Sequence, residues 1–215
     1  MAMLKLIPCC ISCNKSIRDG IYGSTFYPNL FAMLSAFFVL AAIVMGLAYL
    51  NGRRYRMATI GSGRSPVPLK TAGIVLGIGL GGFVDGIVLH QLLQWHEMLS
   101  AKIPATDYVG KSVNMFWDGI FHFFCLVVVM IGVAMLWRAV SRTGAFKSGR
   151  LLIGSMLSGW AIFNLVEGII DHQLLKLHNV MEYALDHNFA NYTFLIASLL
   201  MLVLGSWLAR KGYVI

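Results

Sequence analysis

The chain has 215 residues, 58% of them hydrophobic and 12% charged, with 17 Lys and Arg against 9 Asp and Glu for a formal net charge of +8. Soluble globular domains carry roughly a quarter charged residues, so this composition excludes an ordinary water-soluble fold and points to a lipid environment. Nor does the positive charge suggest nucleic acid, because it is scattered over the short segments between apolar runs.

About 20 apolar residues suffice to cross a hydrocarbon core of ~30 Å. Five such runs occur in order: Leu30–Leu50, Thr71–Leu93, Phe116–Trp137, Leu151–Leu175 and Phe189–Ala209. Lipid forces backbone groups to pair within each segment, so each run predicts a helix. Ahead of them, residues 1–29 contain Cys9, Cys10 and Cys13. The start of the chain is too weakly apolar, and too soon interrupted by Pro8, for a cleavable signal peptide. Cys10-Ile-Ser-Cys13 could form a disulfide or bind a soft metal, but the simpler reading is a disordered tail with incidental thiols. The run 30–50 contains no charged residue and reads as an anchor.

The second run opens with Gly73, Gly77 and Gly81 at intervals of four, the spacing that lets helices approach closely in lipid. It then enters Phe83–Met98, FVDGIVLHQLLQWHEM, which returns 82 residues later as Leu165–Val180, LVEGIIDHQLLKLHNV. Eight of the sixteen positions are identical, among them His90/His172, Gln91/Gln173 and His96/His178, and Asp85/Glu167 keeps the carboxylate. This agreement reads as an internal duplication. The third run begins with Asn114, Asp118 and His122 at intervals of four, followed by Cys125, all on one helical face. The fifth has a looser echo in His187, Asn191 and Ser198.

The expected fold is therefore an all-α polytopic transmembrane bundle of five helices. Four of them form a duplicated two-helix unit, spanning residues 71–137 and 151–209. Segments 51–70 and 138–150, with the tail after Ala209, hold eleven Lys and Arg; the N-terminus and the other two loops hold six. The positive-inside rule then sets the N-terminus outside and the C-terminus in the cytoplasm, in a bacterial inner membrane. Each two-helix unit crosses twice, so both share one orientation about an axis along the membrane normal.

Ionisable residues within such spans are costly and usually functional. His90, His172, His122, Asp118, His96 and His178 are the candidate metal ligands, all near the outer side. Joining His90, His172 and His122 requires three helices to converge, and the two copies are expected to share one central site. In an α-helix His90 lies about 140° around from Asp85. Asp85 and Glu167, with Asp171, Gln91 and Gln173, are accordingly assigned to an outer shell or a relay, and both glutamines are expected to hydrogen-bond between helices. Imidazole with carboxylate suits copper, iron or zinc, in a redox or metal-handling role. Haem b, with His90 and His172 as axial ligands, is a variant. The rivals are a proton or cation transporter using the same residues as a relay, and a structural accessory subunit. The implied partners are the lipid bilayer and a homo-oligomer or membrane complex. No nucleophile–base pair or known catalytic motif is visible, so whether the chain is an enzyme stays open.

The paired (D/E)G-x3-HQ-x4-H elements, with WDGIFH between them, resemble a family of small bacterial integral membrane proteins catalogued as a domain of unknown function. The resemblance covers residues 71–209 and rests on Asp85, Gly86, His90, Gln91 and His96, then Glu167, Gly168, His172, Gln173 and His178. It implies a membrane bundle and supplies no activity.

Overall fold

The computed structural model describes residue 11, residues 13–58 and residues 65–213, and is helical throughout. A short helix α1 (Lys15–Tyr22) precedes α2 (Phe26–Ala58), α3 (Val67–Val84), α4 (Tyr108–Val140), α5 (Gly149–Glu167) and α6 (His187–Lys211). Helices α3 and α5 continue without a break into wider turns over Asp85–Leu92 and Gly168–Leu174. Five helices, α2 to α6 with these extensions, are long and apolar enough to cross a membrane.

The first correction concerns the N-terminus. Residues 15–22 are no tail: Asn14 caps α1 by accepting from the backbone N–H groups of Ser16 and Ile17. Ile17 and Ile21, four residues apart, point one way into the main core beside Val113 and Trp117 of α4. Cys9 and Cys10, the latter one member of the CxxC pair, lie outside the described residues, as does the stretch 59–64 of the basic loop.

Burial identifies the central pair. The most apolar window of α3 is 67% buried and that of α5 50%, against 17% for each of α2, α4 and α6. The outer three turn large side chains such as Phe38, Met130 and Leu200 outward, which suits lipid and would be an aggregation hazard in water. Glycines explain how α3 and α5 come so close. A Cβ on Gly77 would collide with the Met156 carbonyl oxygen, and one on Gly159 with the Ile74 carbonyl oxygen. These pairs, Ile74/Met156 and Gly77/Gly159, are each 82 residues apart. Contacts in the crossing thus follow the offset seen in the sequence. Helix α4 packs on α3 where Gly132 meets Leu76, and α6 packs on α5 where Gly154 meets Ala209.

Both central helices end in the same unusual way. Over Asp85–Leu92 and Gly168–Leu174 the hydrogen bonds skip five residues, as in Leu93 N–H to Val88 O and Leu175 N–H to Ile170 O, each 2.8 Å. Gln94 and Lys176 then turn the chain with φ of 50°, and Trp95 and Leu177 donate back to the Leu89 and Asp171 carbonyls. A left-handed backbone costs a residue with a Cβ about 1 kcal/mol relative to glycine. Gln94→Gly and Lys176→Gly are therefore expected to raise stability by up to about 1 kcal/mol each, read as a higher thermal midpoint in detergent. A lower midpoint would show that these side chains hold the turn by contacts that outweigh the strain.

Candidate metal centre

The wide turns decide the site. When hydrogen bonds skip five residues rather than four, side chains five apart stack on one face. His90 Nε2 consequently lies 3.1 Å from Asp85 Oδ2, and His172 Nε2 lies 2.8 Å from Glu167 Oε1. This corrects the α-helical reckoning that separated each histidine from its carboxylate. Asp85 and Glu167 thus lie beside the imidazole nitrogens, within the groups that could hold an ion.

The second histidine of each motif arrives from the loop beyond the helix. His96 Nε2 lies 3.9 Å from Asp85 Oδ1, and His178 Nε2 lies 3.8 Å from Glu167 Oε1. The His96 and His178 rings stack at 4.5 Å with 5° between their planes. His90 meets His96 at 4.4 Å, and His172 meets His178 at 4.7 Å. All four imidazoles and both carboxylates are at most 4% exposed.

Surrounding groups fix the proton positions. His96 Nδ1 lies 2.8 Å from the Val180 carbonyl oxygen, which can only accept, so Nδ1 carries the proton and Nε2 presents its lone pair. Burial, reinforced by the nearby His90, holds His96 far below an ordinary imidazole, at about 3. Burial and the neighbouring His96 and His172 likewise hold His178 well below the usual range. Both loop histidines are thus neutral at physiological pH. On α4, Asp118 Oδ1 accepts from His90 Nδ1 and from the Met98 backbone N–H, each at 2.9 Å. A histidine ligand oriented through its other nitrogen by a carboxylate is a common support for a metal.

The remaining donor atoms turn toward one another. His90, His96, His172 and His178 Nε2, with both oxygens of Asp85 and of Glu167, are buried, and among the described residues they meet only other members of this set. They form two groups whose ligand atoms all lie within 4.8 Å of one another: Asp85, His90 and His96; and His96, Glu167, His172 and His178. Metal–ligand distances of about 2.0–2.2 Å fit such spacings. The carboxyl ends of α3 and α5, where helix dipoles favour positive charge, face this cluster. Buried His, Asp and Glu groups that could hold a metal ion are therefore in place.

Other expected residues stand elsewhere. His122 is half-buried, its ring stacks with Phe83 at 6.0 Å, and its Nε2 abuts Gly86, so it joins neither ligand group. Asp118 joins neither group and holds His90 instead. Asp171 is 3% exposed, its Oδ1 without a hydrogen bond among the described residues. Neither glutamine makes the expected interhelical bond there: Gln91 is exposed, and Gln173 Nε2 is buried without a partner. His187 begins α6 and meets the Glu182 carbonyl at 2.9 Å, away from the cluster.

Sequence reasoning passed over the loop clamps. Asn114 Oδ1 accepts from Leu99 N–H and Asn191 Oδ1 from Val180 N–H, both at 2.9 Å, holding each histidine loop down on its neighbouring helix. Glu97, 4% exposed and paired with Lys111, was also unmarked. With His96, Gln94 and Glu182 it lines a polar cavity of about 640 Å³ above the cluster. An asparagine in the opening turns of the helix after each motif, Asn114 and Asn191, was the available signal.

A family model described as a predicted membrane protein matches residues 72–212, which take in both ligand groups and their loops. No curated protein and no solved structure matches the chain.

Proposed function

The chain belongs to the DUF2243 family of predicted membrane proteins, and we propose that it is a transition-metal protein of the bilayer, holding ions in the four-histidine cluster for redox or metal-handling work. One observation carries this reading. Eight buried imidazole and carboxylate donor atoms converge on one another, with no hydrogen bond to any group outside the cluster among the described residues. Imidazole nitrogens with a carboxylate suit iron, copper or zinc. An ion of this kind supplies Lewis-acid or electron-transfer chemistry. The chain supplies the donors, the neutral tautomer of His96 through Val180, and the orientation of His90 through Asp118.

The geometry favours bare ions over haem, since imidazoles packed at 4.4–5.9 Å between centroids leave no slot for a macrocycle. It also favours a closed site over a transmembrane relay. A relay needs polar groups across the other half of the bundle, where a second cavity is lined by Ser155 and Ser158. Between the two lie the glycine-mediated crossing and the buried side chains of Ile78 and Phe163. The test is elemental analysis with an absorption spectrum on protein purified in detergent without chelator. Near-stoichiometric iron, copper or zinc is expected; no metal, together with no uptake on titration, would sink the reading.

From the distribution of Lys and Arg we place the cluster end of the bundle outside a bacterial inner membrane. A cysteine at exposed Lys102 should react with an impermeant thiol reagent added to intact cells, and one at exposed Arg142 only after permeabilisation. The reverse pattern would invert the orientation.

A further inference from the structure

We propose that the cluster is a two-ion centre, one first-row divalent ion held by Asp85, His90 and His96 and a second by Glu167, His172 and His178. The inference rests on the metal-binding reading and specifies how many ions it involves and which donors hold each.

Donor spacing gives the first reason. Around one ion with bonds of about 2.1 Å, even opposite ligands are only ~4.2 Å apart. Six donors on one ion would therefore all fall within the 4.8 Å limit that defines the two groups. Instead Asp85 and His90 group with His96 alone, and the larger group includes neither of them. Only His96 belongs to both. Its Nδ1 is committed to the Val180 carbonyl, so its single free nitrogen serves one ion at a time. The motif offset of 82 assigns it: Asp85, His90 and His96 correspond in order to Glu167, His172 and His178.

Each half also brings its own buried carboxylate to its own histidine, Asp85 Oδ2 at 3.1 Å from His90 Nε2 and Glu167 Oε1 at 2.8 Å from His172 Nε2, and no Lys or Arg pairs with either carboxylate among the described residues. Each ion then has two imidazoles and a carboxylate, a donor set that leaves positions open and suits iron(II).

The experiment is an anaerobic titration of the chelator-stripped full chain in detergent with iron(II) alone, and separately with zinc(II) alone. Two equivalents per chain are expected. Saturation at one equivalent would overturn the two-ion centre while leaving the metal-binding reading intact, and no binding would remove both. Asp85→Asn and Glu167→Gln should each leave one equivalent, and the double variant none. Loss of both equivalents in either single variant would also overturn the assignment. The unmodified chain decides the stoichiometry even where a variant fails to fold.

Discussion

Glu167→Gln is expected to strip the Glu167–His172–His178 group of its ion while the bundle stays folded. The amide keeps the volume of the side chain, and among the described residues the only groups the carboxylate meets are His172 and His178 of the cluster itself. What disappears is the anionic donor 2.8 Å from His172 and 3.8 Å from His178. The loss in affinity should exceed the roughly 10–100-fold typical of groups that only orient a ligand. Asp118→Asn supplies that milder case, because Asp118 stands behind His90 Nδ1 and the Met98 backbone N–H of the His96 loop, outside either ligand group. Titration with iron(II) separates the two, and a Glu167→Gln protein that binds as tightly as the native one would exclude this carboxylate as a ligand.

Gly77→Leu should abolish the folded bundle. Its Cβ would sit on the Met156 backbone, which cannot rotate aside as a side chain can. Overpacking a core ordinarily costs about 1–3 kcal/mol, and here the whole α3–α5 crossing must open. Gly159→Leu meets the same obstacle at Ile74, whereas Gly46→Leu and Gly119→Leu meet nothing within 4 Å. Size-exclusion profiles in detergent should show the first pair aggregated and the second pair monodisperse. Equal behaviour of Gly77→Leu and Gly46→Leu would mean that close approach at the crossing contributes little.

The five spans were legible because lipid leaves a helix as the only open structure that satisfies the backbone, and hydrophobic length then marks each one. Helix ends were not, since Tyr108 to Met115 and Val67 to Lys70 are too polar or interrupted for hydropathy to include them. His90, His96, His172 and His178 stood out by repetition. Their pairing with Asp85 and Glu167 did not, because residue spacing converts to direction only once the winding is known. His122 misled for a related reason. It shares a face with Asp118 on α4, yet the ring reaches Phe83 and Gly86 instead of the cluster.

The loops over the cluster hold one last consequence. Trp95 O accepts from Glu182 N–H at 2.8 Å, Ala101 N–H donates to Leu177 O at 3.0 Å, and His96 is held by Val180. Each loop is fastened by the other half of the chain. Asn114 and Asn191 hold each loop from within its own half, but neither half alone contains all the fastenings of its second histidine. Cutting the chain between the halves would therefore loosen both histidine loops at once, and because Asp118 has no acidic counterpart on α6, the two sides are not interchangeable.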